Sequence, residues 1–324
     1  MTRLTRAEFA RDIEDFLAFK RALGYSYRRG EATLRNFQRF AHRDTDSARL
    51  AIDLETAVRR WLLRFGDRKP VTLANELGAL RQLCLYRRRR DPNGFVPDHT
   101  LAPCTESTYL PYVFSREEIR ALLDAASRHH GRNMWPGMLR LLLLIAYCTG
   151  LRFGEAVRLR LDDVDLQLCI LNIRESKGRS RLVPFRGDLG CEVSKYLRER
   201  TLVARRAAAQ TVVDALFVGL DGRAVSMKVA SEAVRLLLRK LGMKPPKGRT
   251  GPRPYDLRHA FAVHRLTDWY RSGVDIHARL PWLSAYMGHV NLLGTEVYLH
   301  ATPELLRLAS DRLAARLSSA GPRP

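Results

Sequence analysis

Apolar side chains recur at three- and four-residue intervals over the first 90 residues, as in Phe9, Ile13, Phe16 and Leu17 and again in Leu34, Phe37 and Ala41. That spacing gives a helix one buried face, so the segment is expected to be all-helical. Gly24 is placed to end a first helix, Asp53 to cap a third, and Pro70 with Val71 to open a fourth that runs through Leu77, Leu80 and Leu83 to Leu85. Four such helices suffice for a small bundle. The pattern breaks after four arginines at 87–90, where Asp91, Pro92, Asn93 and Gly94 begin a stretch rich in Pro and polar residues. An interdomain linker is expected there.

Helical periodicity resumes at Ser115, an N-cap with Glu118 three residues on, and continues through Leu122 and Ala126. A buried helix is expected over 138–147, and a short one beyond Gly150. Residues 164–173 are largely apolar in a strand-like pattern, SKGRS at 176–180 makes a turn, and RLVPF at 181–185 returns as a strand. Helices follow near 193–207 and 231–241, then a basic Pro/Gly loop over 244–254 leads to a helix started by Pro254. The expected fold is therefore mainly α with a small β-hairpin, an α+β protein of two domains. The boundaries read are a helical domain at 1–92, a linker at 93–111, a mixed domain at 112–302 and a C-terminal helix and tail at 303–324.

Charge narrows the partner. The 324 residues hold 56 Lys and Arg against 34 Asp and Glu, a formal excess of +22 spread along the chain. A polyanion is implied, and nucleic acid ranks ahead of a basic ribosome-associated role or mere solubility. The five cysteines lie far apart, without a CxxC pair or nearby His at zinc-ligand spacing, so neither a metal nor a cofactor is called for and a reducing compartment is expected. The opening MTRLTRAEFARDIEDF lacks the apolar stretch of a signal peptide, and the longest apolar run, 141–148, is too short to span a bilayer. A cytoplasmic protein acting at the nucleoid, with no membrane partner, is the expectation.

Four patches carry candidate chemistry. In CTGLRFGEAVRL, Gly150 breaks a helix and Arg152 opens the next, with Glu155 one turn along. A guanidinium held there can grip two phosphate oxygens as a fork, and it can equally form a surface ion pair with Glu155. Lys177 sits at the hairpin tip beside Gly178. Such lysines are usually just solvated, but a mobile tip can also deliver an ammonium to a leaving-group oxygen as general acid. In PYDLRHAFAVHRL, Arg258 and His259 fall at a helix N-terminal end, where anions are favoured. In YMGHVNLLGTEVYLH, Gly288 closes a helix, His289 follows it, and Tyr298 comes nine residues later. Alone, Tyr298 would be a half-buried core tyrosine, the reading given to Tyr147 and Tyr286. Together, two arginines, a lysine, a histidine and a tyrosine supply charge neutralisation, a proton donor and a nucleophile for phosphoryl transfer on DNA.

TGLRFGE at 149–155, Lys177 on its hairpin, YDLRH at 255–259, MGH at 287–289 and Tyr298 resemble, in order and spacing, the motifs of the tyrosine recombinase or phage integrase family. The likeness covers roughly 111–302, and FLAFKRALGYSYRRGEATLRNFQRF looks like the family's helical core-binding domain. The resemblance implies a two-domain clamp around double-stranded DNA with inverted half-sites, assembled as a homotetramer or beside related recombinase subunits. It implies that Arg152 and Arg258 hold the scissile phosphate, Lys177 is general acid, His289 bonds the phosphate and Tyr298 attacks, with Glu155 and His259 in support. Tyr255 departs from the family, which usually has His or Lys there; a phenol with pKa near 10 is a poor base, so Tyr255 is expected to position the phosphate while His259 or water takes the proton. The wording around Tyr298 looks most like recombinases of bacterial transposable elements.

Arg28, Arg29, Arg87, Arg88, Lys244, Lys247, Arg249 and Arg253 are the candidates for phosphate-backbone contacts, each of which could also be simply solvated. The tail stripe of Leu305, Leu308, Ala309 and Leu313 suits docking on a neighbouring protomer or on its own domain. Competing readings are a catalytically idle DNA-binding subunit, motivated by Tyr255, a DNA-relaxing type IB topoisomerase, and an RNA-binding role that leaves the ordered motifs unexplained.

Overall fold

The computed structural model describes residues 4–43, 51–64, 68–103, 111–131, 134–176, 179–207, 213–248, 250–296, 298–299 and 303–319. The chain divides into two compact units, Met1–Thr108 and Tyr109–Pro324.

In the first unit, strand β1 (Leu4–Thr5) pairs antiparallel with β2 (Ala51–Ile52) and leads into α1 (Arg6–Ala22). Thr5 and Glu8 form a reciprocal capping box at its start, so two otherwise orphaned donors are satisfied. Gly24, at φ +81°, turns the chain out of the helix as expected. Then come α2 (Arg28–Arg43), α3 (Leu54–Leu63), capped by Asp53, and α4 (Pro70–Arg87), with Pro70 in its first turn. Phe9, Phe37 and Trp61 form a chain of edge-to-face rings at 5.8 and 5.6 Å through the core. Phe95, Val96, Leu101 and Ala102, expected in the linker, pack on this core, and the Arg81 guanidinium donates to Pro97 O at 2.5 Å. Their apolar side chains find cover there, which the Pro and polar residues around them disguise.

The second unit opens with α5 (Arg116–Ser127), started by the Ser115/Glu118 capping box, and α6 (Pro136–Cys148), buried along most of its length. After α7 (Phe153–Val157) a three-stranded antiparallel sheet runs in order β3 (Val164–Asp165), β4 (Ile170–Ser176), β5 (Arg179–Pro184). The expected hairpin is β4–β5. Helices α8 (Gly187–Arg206) and α9 (Met227–Lys240) begin four to six residues earlier than expected. Gly187 and Gly190 hide the first turn of α8, and Gly190 is buried, its Cα facing the Phe185 ring; Ser226 is the true cap of α9. α10 (Asp256–Arg271) starts two residues past Pro254 and is followed by α11 (Ile276–Met287), α12 (Leu293–Glu296) and α13 (Pro303–Ser319). Elements α5 to α9 enclose one core, while α10, α11, Tyr298 and Leu305 form a second beside it. α13 lies along α10 of its own unit: Leu305 is fully buried, Leu313 is exposed, and Arg312 donates to Gly273 O and Val274 O at 2.8 and 2.7 Å. Among the described residues no helix is long and apolar enough to cross a membrane.

Candidate active site

The turn after α6 needs a glycine twice over. Gly150 has φ +60°, and a Cβ there would meet the Phe261 ring at 2.3 Å. Its carbonyl accepts from Arg258 Nη1 at 2.7 Å. Arg152 is the N-cap of α7, and Glu155 folds back on it, accepting from its backbone N–H at 3.0 Å and from Nη1 at 2.7 Å. The ion pair anticipated as the plain alternative is thus present, but Glu155 is only 4% exposed and the pair is no surface ornament. It orients the Arg152 guanidinium, whose Nη2 donates to Gly288 O at 2.9 Å.

Arg258 projects from the first turn of α10 and is 1% exposed. Nη2 donates to Met287 O at 2.9 Å and to His289 Nε2 at 2.7 Å, while Nε is buried with no partner among the described residues. A guanidinium can only donate, so His289 Nε2 accepts; Nδ1 therefore carries the proton and donates to Thr295 Oγ1 at 2.6 Å. Thr295 is wholly buried in α12, three residues before Tyr298, and was not singled out from the sequence. Nothing in its type or spacing marked it.

Tyr298 lies with its ring 5.3 Å from that of His259 and 6.1 Å from that of His289. Burial pushes its phenol above the ordinary tyrosine value, and the Arg258 guanidinium beside it opposes that rise. Burial pushes the His259 imidazole down to about 4, against the pull of Asp256, so it is neutral at physiological pH. Its Nδ1 is buried without a partner among the described residues. Tyr255, the departure from the family pattern, is 40% exposed and sets its ring 5.1 Å from that of His259.

His259 imposes a pH dependence on folding. The unfolded imidazole titrates near 6.5 and the folded one near 4, so between those values the unfolded chain takes up the proton first. Stability contributed by the neutral form is intact above pH 6.5 and declines as pH falls towards 4, by up to about 3 kcal/mol. Urea melts at pH 7 and pH 4.5 should show a smaller loss for His259→Gln than for the wild type; equal losses would refute the assignment.

The site thus brings together Arg152, Glu155, Arg258, His259, His289 and Tyr298, with Tyr255 at its edge. Lys177 and Arg249 lie outside the described residues, as does Thr302. Two of the basic residues expected to reach phosphate turn inward instead. Arg87 is 9% exposed and pairs through Nε with Asp12 at 2.5 Å. Lys244 is buried and donates to Thr250 O and Pro252 O at 2.5 and 3.4 Å, its ammonium satisfying the loop before α10. Both corrections have one cause: a long basic side chain beside unsatisfied buried acceptors is drawn to them. Arg28, Arg29, Arg88, Lys247 and Arg253 are exposed; Arg88 also donates to Gly94 O at 3.2 Å, and Arg253 pairs with the buried Asp256 at 3.0 Å. Among the described residues no group of His, Cys, Asp and Glu could hold a metal ion.

Arg181 of β5 was missed. Its guanidinium forks onto Glu155 at 2.7 and 3.3 Å, and Nε donates to Tyr286 O at 3.1 Å. The signal was available: in RLVPF, Arg181 shares a strand face with the fully buried Val183 while Leu182 points to solvent. A charge on the apolar face of a strand requires a partner.

Known proteins resemble this arrangement. The phage integrase family pattern matches residues 113–304. The candidate integrase/recombinase y4rB of Sinorhizobium fredii is 32% identical over 313 residues, 95% of this chain and 98% of that protein. The tyrosine recombinase XerA of Thermococcus kodakarensis is 32% identical over 204 residues, 63% of each chain. The Tn1549 transposon integrase in complex with transposon right-end DNA shares the fold, with a TM-score of 0.64 at 16% identity over 94% of this chain and 99% of that one. The XerH site-specific recombinase bound to its palindromic difH substrate gives 0.63 at 21% identity over 86% and 77%. With the family pattern spanning most of the second unit and a full-length relative at this identity, the chain belongs to the phage integrase family of tyrosine recombinases.

Proposed function

We propose that the protein is a site-specific DNA recombinase that cleaves and rejoins DNA through a 3′-phosphotyrosine at Tyr298. The observation that carries this reading is the convergence of Arg152, Arg258, His289 and His259 around the Tyr298 ring. In the reaction the phenol oxygen attacks the scissile phosphorus as its proton passes to the neutral His259, or to water. The bond from phosphorus to the 5′ oxygen breaks, and Lys177 supplies the proton that the departing oxygen needs. Arg152 and Arg258 neutralise the nonbridging oxygens; His289, whose Nε2 accepts from Arg258 and whose Nδ1–H donates to Thr295, bonds the phosphate once Nε2 takes up a proton and turns from Arg258 to a phosphate oxygen. Attack by a 5′ hydroxyl reverses each step, so rejoining requires no ATP.

The partner is duplex DNA with inverted half-sites, on which four protomers or related subunits assemble. The substrate DNA is the end of a mobile element, supported by the likeness to an integrase of transposon Tn1549. The protein would act on the nucleoid in the cytoplasm. Arg28, Arg29, Arg88, Lys247, Arg249 and Arg253 remain candidates for backbone contacts, so affinity should fall steeply with salt.

The test is a nicked suicide duplex built on the sequence that the protein selects from a random pool, incubated with EDTA and no ATP. A denaturant-resistant adduct mapping to the peptide that contains Tyr298 is expected. Tight binding with no adduct would instead favour a DNA-binding subunit that never cuts, and sequence-indifferent relaxation of supercoiled plasmid would favour a topoisomerase.

A further inference from the structure

The last carbonyls of a helix have no intrahelical donor and carry the negative end of its dipole. At the end of α11 three consecutive ones are each met by a different arginine. Tyr286 O accepts from Arg181 Nε at 3.1 Å, Met287 O from Arg258 Nη2 at 2.9 Å, and Gly288 O from Arg152 Nη2 at 2.9 Å. Two of these arginines belong to the proposed phosphate clamp. The third has had no role.

Arg181 also shares the Glu155 carboxylate with Arg152. Oε1 takes Nη1 of both arginines, at 2.7 Å from Arg152 and 3.3 Å from Arg181. Oε2 takes the Arg152 backbone N–H at 3.0 Å and Arg181 Nη2 at 2.7 Å. Gly288 is fitted to this approach: a Cβ there would lie 2.7 Å from Arg181 Nη1.

We propose that Arg181 is a positioning residue for DNA cleavage, holding Glu155 and the end of α11 so that Arg152 and Arg258 can grip one phosphate. The proposal rests on the recombinase reading. Without Arg181, a buried carboxylate faces a single guanidinium and draws Arg152 into a two-pronged fork of its own, aiming its donors away from the phosphate. Tyr286 O is left unpaired, and the turn that carries His289 loses its brace. Arg181 comes four residues after Lys177 in the sequence, yet its contacts run to the arginine clamp. The defect it controls is therefore in charge neutralisation.

Single-turnover cleavage by Arg181→Gln on the nicked suicide duplex should fall about 10²-fold, the scale expected when a reacting group is misplaced by an ångström. On the same duplex with a neutral methylphosphonate at the scissile position, most of that loss should vanish, because fewer cationic contacts are then required. Arg181→Lys, which keeps the charge but not the fork, should fall between. The ratio of the two rates is independent of how much protein is folded. An equal fractional loss on both substrates would make Arg181 merely structural and overturn the proposal, as would a wild-type rate in Arg181→Gln. Failure of the wild type to cleave either duplex would overturn the recombinase reading beneath it.

Discussion

Tyr298→Phe is expected to lose covalent cleavage by at least about 10⁴-fold while still folding and binding DNA, since the nucleophilic atom is gone and no neighbour replaces it. The ring that remains keeps its contacts with His259 and His289 at 5.3 and 6.1 Å. Loss of one buried hydroxyl costs about 1 kcal/mol, so the melting temperature should shift only slightly. The proton matters as much as the oxygen. Burial holds the phenol above its ordinary pKa, so it enters the reaction neutral and its proton must leave during attack. His259 is neutral at that pH, lies against the Tyr298 ring and has a buried Nδ1 without a partner among the described residues. Denaturing gels of wild type and Tyr298→Phe on the nicked duplex decide the matter. An adduct that persists in the variant would move the nucleophile to Tyr255, the exposed phenol on the far side of His259.

Helices that carry their own punctuation were legible in the sequence. Asp53, Pro70 and the Ser115/Glu118 box each mark a start by local chemistry, and each start is where that chemistry puts it. The start of α8 was hidden because glycines in a first turn read as a break, when Gly187 and Gly190 are both helical there. Arg152, Arg258, His289 and Tyr298, which the fold brings together, stood out because their motifs are local and ordered. What could not be read is which atom meets which across more than a hundred residues, such as Arg258 with Gly150 O or Arg152 with Gly288 O. Backbone carbonyls belong to every residue and so leave no mark in a sequence. For the same reason Lys244 passed as a phosphate contact when its ammonium serves two loop carbonyls.

Arg258→Lys is expected to cut single-turnover cleavage by about 10³-fold or more, the range seen when a clamp arginine or a preorganised donor is removed from a phosphoryl or acyl transition state. The loss arises from donor geometry, since the charge is kept. Arg258 donates to Gly150 O and to Met287 O and His289 Nε2, tying its own helix to the turn after α6 and to the end of α11, and its Nε remains without a partner among the described residues. A lysine offers one nitrogen and cannot span those acceptors and a phosphate oxygen together. Its nitrogen would abandon at least one buried carbonyl, at a cost of about 1–3 kcal/mol, so the melting temperature should fall as well. Rate and stability must therefore be read separately, on protein shown to be folded at the assay temperature and with DNA affinity measured alongside. A lower melting temperature with a near-wild-type cleavage rate would make Arg258 a staple of the fold alone. A slow, folded, DNA-bound variant would mean that one guanidinium both assembles the site from its three segments and serves the phosphate within it.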